Sequence, residues 1–271
     1  MTDLNGATVL LTGASGGFGR EFIRQLLAAG SRLILTDRDE QAMKDCLPNE
    51  IAPGEIIATL ATDLSSSAGC QVLYDRVKAL DCPIDVLINN AGIAVFGRAD
   101  EVPADKAEEL MQLNLLTPIR LCGLFVPEMI DRNQGHIVNI SSVAGWSAPG
   151  GLSHYAASKF GLRGFSEGLL DELREHQVKV TAVYPYFSRT PILRSPRYGS
   201  LAQSVPGFPE SEATDPVMVI GNVLQGIVEN KPQVFPDRTA RAIHLLKRFS
   251  PSLLNWLASQ LSQKISRAPE S

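Results

Sequence analysis

Short apolar runs alternate with helix-forming segments along most of the chain, and this alternation constrains the fold more strongly than any other feature. The runs typical of buried strands cover residues 7–12, 33–36, 56–61, 86–89, 136–140, 178–183 and 233–235. Near-continuous apolar strands separated by helices are typical of a parallel sheet with helices on both faces. Because no internal repeat and no linker divides the chain, the sequence predicts a single doubly wound α/β domain of about seven strands.

Composition and charge exclude several classes of protein. Of the 271 residues, 44% are hydrophobic and 20% are charged, and the formal net charge is −4. A chain of this length buries a sizeable core without disulfides or a metal. Its slight acidity argues against a nucleic-acid partner, because proteins that bind nucleic acids present a basic surface.

The cysteines and the first residues bear on the cellular compartment. The four cysteines form no CxxC pair and lack a histidine at metal-ligand spacing, so we expect reduced thiols and no metal site. The first residues lack the basic and apolar segments of a secretory signal. No run approaches the ~20 apolar residues of a membrane span. These observations predict a cytoplasmic protein.

A glycine-rich turn follows the first predicted strand and precedes a predicted helix. Gly13, Gly17 and Gly19 have the spacing G-x-x-x-G-x-G. Glycines let the main chain approach a ligand closely, and the free N–H groups at a helix N-terminus attract a pyrophosphate. The turn, with Ser15 and Phe18, therefore predicts a dinucleotide site, although a glycine-rich turn that binds nothing fits the same residues.

Asp37 ends the second predicted strand, at the place where an acidic residue accepts hydrogen bonds from an adenosine ribose. Its charge repels a 2′-phosphate, which favours NAD over NADP. Arg38 stands next to it and is able to pair with a 2′-phosphate, so NADP stays open. A solvated aspartate that only ends a strand is the alternative interpretation.

Tyr155 and Lys159 lie four residues apart, so on a helix they share one face. A lysine cation favours the phenolate and lowers a tyrosine pKa that begins near ~10. Such a tyrosine exchanges a proton with an alcohol or carbonyl oxygen. Ser142 ends the preceding strand, within reach of the same oxygen, where a second donor stabilises developing charge. The alternative is a buried tyrosine, an exposed lysine and a serine in a turn.

The ordered set of motifs resembles that of the short-chain dehydrogenase/reductase family. It comprises the glycine-rich turn, Asn89-Asn90-Ala91-Gly92, Asn114, Asn139-Ile140-Ser141-Ser142 and Tyr155-Ala156-Ala157-Ser158-Lys159. The resemblance implies a Rossmann-like fold and an NAD(P)-dependent enzyme that interconverts an alcohol and its ketone or aldehyde. It further implies a homodimer or homotetramer. Lys159 would also hold the nicotinamide ribose, and Asn114 would help anchor a proton-relay water.

The resemblance also assigns further positions to the cofactor. They are Asp63, Leu64, Asn90, Ala91, Gly92, Pro185, Ser188 and Thr190. Relatives have a glycine where this chain has Tyr186, so a bulky ring must alter the turn or fill part of the pocket. A sensor or scaffold that binds a dinucleotide without catalysis is the alternative function, but such proteins usually lack the tyrosine or the lysine.

A proline-rich segment, 186–212, predicts a long irregular loop of the kind that covers a substrate. The candidate substrate contacts are mostly apolar or aromatic, namely Val95, Trp146, Leu152, Tyr186 and Phe187. Such a lining suits a hydrophobic alcohol or ketone. The same side chains would also suit a protein core.

The last part of the chain is basic and amphipathic. We divide the chain into a catalytic domain, 1–236, and a helical extension, 237–271. Between positions 238 and 267 the extension holds six Lys and Arg residues and no acidic one. A helix of this kind can lie on an anionic membrane surface, which would make the protein a peripheral membrane protein. We favour packing on the domain or across a subunit interface, because apolar stripes at helical spacing are usually buried.

Overall fold

The computed structural model describes residues 1–47 and 52–253, in which strands and helices alternate. The strands are β1 (Thr8–Thr12), β2 (Arg32–Asp37), β3 (Glu55–Ala61), β4 (Val86–Asn89), β5 (Phe96–Gly97), β6 (Gly135–Ile140), β7 (Val178–Val183), β8 (Arg197–Tyr198) and β9 (Gln233–Val234). The helices are α1 (Gly17–Ala28), α2 (Glu40–Lys44), α3 (Ser67–Lys78), α4 (Ala104–Met111), α5 (Thr117–Asp131), α6 (Ser153–Glu172), α7 (Gly199–Ser204), α8 (Pro216–Val228) and α9 (Arg238–Phe249).

Seven strands form one parallel sheet in the order β3-β2-β1-β4-β6-β7-β9. The central strand β1 pairs with β2 on one side and with β4 on the other. The chain order of the strands reverses between β1 and β4, and ligands of such sheets bind at the carboxyl ends of the strands beside that point. The predicted doubly wound fold is confirmed as Rossmann-like, and each predicted strand is present with ends that differ by at most one residue.

Both faces of the sheet carry an apolar layer, because side chains alternate between the two faces along each strand. Val9 and Leu11 face the layer that contains α1 and α8, whereas Leu10 faces the layer that contains α3 and α5. The first layer includes Phe22, Ile23, Val219 and Ile220, and the second includes Leu73, Val77, Phe125 and Met129. Each such side chain contributes roughly 1.5–3 kcal/mol when fully buried. The two layers hold the strand ends in fixed positions beneath the site.

A continuous helical stretch, Ala104–Asp131, is long and apolar enough to cross a membrane by length and composition. This differs from the expectation that no segment of the chain reaches that length and apolarity. Leu121, Cys122 and Phe125 of this stretch are buried in the second apolar layer, against the sheet. The high hydropathy therefore reflects packing inside the domain.

The loop that the prolines predict is more ordered than expected. Within it lie a 3₁₀ turn at Pro191–Arg194, strand β8, helix α7 and a second 3₁₀ turn at Glu210–Glu212. Strand β8 pairs with β5, and the amide of Phe96 donates a hydrogen bond to the carbonyl of Pro196 at 3.0 Å. The loop is thus attached to the segment that follows β4.

Helix α9 forms the described beginning of the predicted extension, whose positions 254–271 lie outside the described residues. One face of α9 packs on the domain through the buried Ala240 and the ring of His244. The opposite face leaves Leu245 and Phe249 exposed, with fractional exposures of 53% and 75%. Packing on the domain is therefore present in α9, and membrane contact through 238–267 stays a prediction.

Candidate active site

The glycine-rich turn lies at the carboxyl end of β1, pressed against its neighbours. Gly13 has a φ of +67°, and a Cβ there would lie 2.7 Å from the Cα of Ala91. A Cβ on Gly17 would meet the side chain of Thr190, and one on Gly19 would meet the carbonyl of Gly13. Helix α1 begins at Gly17 without a side-chain cap on its N-terminus. These features fit a pyrophosphate, which needs close main-chain approach and a helix N-terminus.

Asp37 joins the end of β2 to this turn. One of its carboxylate oxygens, Oδ2, accepts hydrogen bonds from the amide and the hydroxyl of Ser15 at 3.0 and 2.6 Å. The other oxygen accepts the amide of Arg38 at 2.8 Å, and the Arg38 side chain is exposed. The sequence motif did not indicate these bonds, through which Asp37 fixes Ser15 inside the turn.

The end of β4 is tied to the end of β1 through side-chain amide and hydroxyl groups. Asn90 donates from Nδ2 to the carbonyls of Thr12 and Gly13, both at 3.0 Å. The Thr12 hydroxyl in turn accepts the amides of Asn90 and Ala91 at 3.0 Å each. A Cβ on Gly92 would lie 3.1 Å from the Asn114 side-chain oxygen. Sequence reasoning missed Thr12, whose role follows from its place opposite β4 in the sheet.

Asn114 is buried in a π-helical turn, Gln112–Leu116, between α4 and α5. Its side-chain oxygen accepts the amide of Ile93 at 2.9 Å, and its Nδ2 donates to the Ile93 carbonyl at 2.8 Å and to the Ser158 hydroxyl at 3.3 Å. π-turns inside helices occur frequently at functional sites. The Asn114 side chain thus fixes the main chain beyond β4, and the relay water stays a prediction.

Helix α6 presents Tyr155 and Lys159 on one face, as their spacing predicts. The Lys159 ammonium lies 5.6 Å from the centre of the Tyr155 ring and donates to the Ile140 carbonyl at 2.8 Å. The Ser141 hydroxyl donates to the main-chain carbonyl of Lys159 at 3.0 Å, which locks α6 to the end of β6. Lys159 is 4% exposed and Tyr155 is half-buried, so the lysine lies deeper than the tyrosine.

Burial governs the protonation of this pair. It raises the pKa of Tyr155 to about 12, and hydrogen bonding with Ser142 acts in the opposite direction. Burial also lowers the pKa of Lys159 to about 8. Lys159 was expected to lower the Tyr155 pKa, but in the protein by itself burial is the largest effect and raises that pKa.

Ser142 lies at the end of β6, next to the turn that begins the 186–212 loop. It caps a 3₁₀ turn, Val143–Gly145, and its hydroxyl accepts the amide of Ala144 at 3.1 Å. The amide of Val143 donates to the carbonyl of Pro185 at 3.0 Å. The main chain next to Ser142 is therefore fixed by the turn that begins the loop.

The surroundings of three predicted cofactor positions, Leu64, Ser188 and Asp63, limit how their side chains can contact a cofactor. The Leu64 side chain is buried in the core and its carbonyl accepts the Thr117 hydroxyl, so any adenine contact of Leu64 is through its main-chain N–H. Ser188 is 3% exposed and its hydroxyl bonds the Tyr186 carbonyl and the Thr214 hydroxyl, so its side chain fixes the loop instead of reaching a cofactor. Asp63 is exposed, and hydrogen bonds from Ser65 lower its pKa.

Trp146, one of the candidate substrate contacts, lies in a cluster of aromatic rings next to α9. Its ring packs edge-on against Tyr184, Phe235 and His244, and the Arg163 guanidinium lies 3.4 Å from its centre. These contacts fix the Trp146 ring after the 3₁₀ turn that follows Ser142, and a substrate contact of Trp146 stays a prediction.

The other apolar candidates lie at three places in the structure. Val95 is 4% exposed and belongs to an apolar cluster with Val102 and Leu110, against which Tyr155 and Tyr198 pack. A second group lies at the start of the loop, where the Tyr186 and Phe187 rings meet Phe208, the latter two stacked at 4.2 Å. Leu152, half-buried, immediately precedes α6. Sequence reasoning missed Phe208, which carries no motif.

A pyrophosphate cradle at the switch point of the sheet and a buried lysine beside a tyrosine occur together in NAD(P)-dependent oxidoreductases, and this chain is one of them. The family model described as short chain dehydrogenase matches residues 7–199. The chain belongs to the short-chain dehydrogenase/reductase family, as its motifs predicted.

Similar proteins cover nearly the whole chain. Dehydrogenase/reductase SDR family member 7B from Bos taurus is 30% identical over 277 residues, 95% of this chain and 82% of that protein. A short-chain dehydrogenase from Sphingobium yanoikuyae, solved with NADPH, is 27% identical with a TM-score of 0.74 over 98% and 97% of the two chains. The bulky-bulky ketone specific alcohol dehydrogenase from Comamonas testosteroni is 26% identical, with a TM-score of 0.74 over 98% of each chain. Other similar structures hold NADP or NAD.

Proposed function

We propose that this enzyme interconverts a bulky apolar secondary alcohol and its ketone, with NAD as the preferred cofactor. The observation that carries the proposal is the position of Tyr155. It hydrogen bonds with Ser142, lies beside Lys159, and packs against the apolar cluster of Val95, Val102 and Leu110. The proton-transfer group thus borders an apolar wall, which suits a substrate whose groups flanking the carbonyl are hydrocarbon.

The proton moves through Tyr155. Burial keeps its hydroxyl protonated, which is the form that donates to a ketone oxygen. The Ser142 hydroxyl supplies a second hydrogen bond to that oxygen, and the Lys159 charge stabilises the phenolate that remains after the transfer. The glycine-rich turn, Asp37 and Lys159 would hold a nicotinamide dinucleotide, which would supply hydride exchange with the carbonyl carbon. In alcohol oxidation Tyr155 receives the proton that it donates in reduction.

The substrate class is tested with a series of ketones in which one flanking group grows by single methylene units. We expect kcat/KM to rise about fourfold per added methylene over the first members, because each buried methylene contributes about 0.8 kcal/mol. Steady-state rates with NADH and NADPH measure the series. A flat or falling series would contradict an apolar pocket, as would a clear preference for polyhydroxylated or anionic ketones.

The cofactor preference is assigned to Asp37. Asp37→Asn keeps a side-chain oxygen for Ser15 but removes the charge that repels a 2′-phosphate. We expect the ratio of NADH affinity to NADPH affinity to fall at least about tenfold, which corresponds to about 1.4 kcal/mol. Fluorescence titration with each dinucleotide measures both affinities.

The matched control is Asp39→Asn, which removes a charge two residues away. Asp39 caps α2 by accepting the amide of Ala42 at 2.9 Å, and asparagine caps helices equally well. We expect this variant to leave the affinity ratio within twofold of the native protein. The assignment fails if both variants change the ratio alike, or if the native protein binds NADPH more tightly and Asp37→Asn changes nothing.

A further inference from the structure

The segment between β9 and α9 carries a buried carboxylate that the reaction does not use. Asp237 is 2% exposed, and its two oxygens bond different parts of the protein. Oδ1 accepts the amide of Ala240 at 2.7 Å and caps α9. Oδ2 accepts the amide of Tyr186 at 3.0 Å, 51 positions earlier in the chain. The bond to Ala240 alone is enough to cap a helix, so the bond to Tyr186 is an additional function of this carboxylate.

The Tyr186 amide belongs to the Pro185–Tyr186 turn, with which the 186–212 loop begins. This turn also contacts the residue that follows Ser142. On one side of that turn the carbonyl of Pro185 accepts the amide of Val143, the neighbour of Ser142. On the other side the Tyr186 ring meets Phe187 and Phe208 edge-on. Asp237 thus holds the amide of Tyr186. This amide lies between the Pro185 carbonyl, which contacts the neighbour of Ser142, and the aromatic rings that begin the loop.

The surroundings of Asp237 restrain it in turn. The Asn222 side chain donates to the Pro236 carbonyl at 2.7 Å, and the Arg241 side chain donates to the Phe235 carbonyl at 2.9 Å. Next to it, Tyr184 and Phe235 stack with ring centres 4.9 Å apart. Because the segment that carries Asp237 is held in place, its carboxylate fixes the position of the Tyr186 amide.

We infer that Asp237 is a positioning residue for substrate binding, which fixes the Pro185–Tyr186 turn and joins α9 to the active site. Helix α9, the first helix of the C-terminal extension, then helps to hold the active site in position. This inference rests on the proposed function only for the expected change in KM. The structural consequence, protection of the Tyr186 amide, is measured without any substrate.

The test uses Asp237→Ser in the full chain. Serine is a good helix cap but offers one oxygen instead of two, so the α9 cap is kept and the Tyr186 contact is lost. Asp215→Ser is the matched control, because Asp215 caps α8 through the amide of Val217 at 3.0 Å and is exposed. Asp237→Asn, which keeps two polar atoms and the size of the side chain, serves if Asp237→Ser does not fold.

Hydrogen exchange gives the first readout. We expect exchange of the Tyr186 amide to accelerate at least about tenfold in Asp237→Ser, while the amides of α9 keep their protection. With a bulky apolar ketone that the native protein reduces, we expect KM to rise about tenfold and kcat to change less than about threefold.

Two results would overturn the inference. One is unchanged exchange at Tyr186 in a folded Asp237→Ser protein or, in Asp237→Asn with its single acceptor oxygen, unchanged exchange at both Tyr186 and Ala240. The other is a loss of activity through kcat alone, matched by Asp215→Ser, which would indicate a general loss of stability. If the native protein reduces no ketone, the proposed function fails, and the exchange measurement still decides the role of Asp237.

Discussion

Tyr155→Phe is expected to reduce kcat by about 10²–10⁴-fold while the affinity for the dinucleotide stays within twofold of the native value. The substitution removes only the hydroxyl that donates the proton, and a positioned acid contributes an effect of this size. The phenyl ring still packs against the apolar cluster that contains Val95, so the pocket keeps its shape. Steady-state kinetics and a fluorescence titration with NADH measure the two quantities.

Tyr74→Phe is the control for this prediction. The Tyr74 hydroxyl donates to Glu128 at 2.6 Å on the outer side of α3 and α5, away from the dinucleotide turn. The same chemical change there should leave kcat within twofold. Retained turnover in Tyr155→Phe, or an equal loss in both variants, would contradict the assignment of the proton to Tyr155.

Gly13→Ala is expected to lower the free energy of unfolding by about 2–4 kcal/mol and to weaken dinucleotide binding at least about 100-fold. A Cβ at this position would lie 2.7 Å from the Cα of Ala91, and the backbone has a φ of +67°. Left-handed backbone costs a non-glycine residue about 1–3 kcal/mol, and an overpacked contact adds a similar amount. The turn would have to move away from β4, which displaces the amides that hold the pyrophosphate. Urea unfolding and dinucleotide titration measure the two effects.

Gly6→Ala separates backbone strain from the contact with Ala91. Gly6 has a φ of +75°, but apart from its two chain neighbours no described residue has an atom within 4 Å of the position that a Cβ would occupy. Its substitution should cost stability of about 1 kcal/mol or slightly more and leave dinucleotide affinity unchanged. Equal losses of affinity in the two variants would show that Gly13 does not shape the dinucleotide site.

The sheet and the positions of the main catalytic groups were predictable because each rests on a local pattern. Runs such as Val178–Val183 are apolar throughout, which is typical of strands covered on both faces. Tyr155 and Lys159 share a face by helical spacing alone. Since parallel strands end at one edge, Ser142 after β6 and the glycines after β1 had to meet there.

Other features depend on contacts that no local pattern encodes. Strands β5 and β8 have two residues each, too few for a detectable period. The Trp146 ring follows a single 3₁₀ turn and packs against His244 of α9, a contact that joins distant parts of the chain. Asp237 precedes a helix, which is a recognisable capping signal, but its bond to Tyr186 joins distant positions.

The protonation of the catalytic pair depended on burial, which residue spacing does not reveal. A lysine four residues from a tyrosine suggests a lowered tyrosine pKa, yet the depth of the site raises the pKa of Tyr155 and lowers that of Lys159. In the protein by itself, Tyr155 is therefore in its protonated form.

Transfer of deuterium from NADH labelled at the reactive nicotinamide carbon to bulky apolar ketones tests the central claim most directly. The products are analysed by mass spectrometry, with Tyr155→Phe in parallel. We predict an alcohol with one deuterium on the carbinol carbon from the native protein and almost none from the variant. Absence of the labelled alcohol across the ketone series, with both NADH and NADPH, would contradict the proposed reaction.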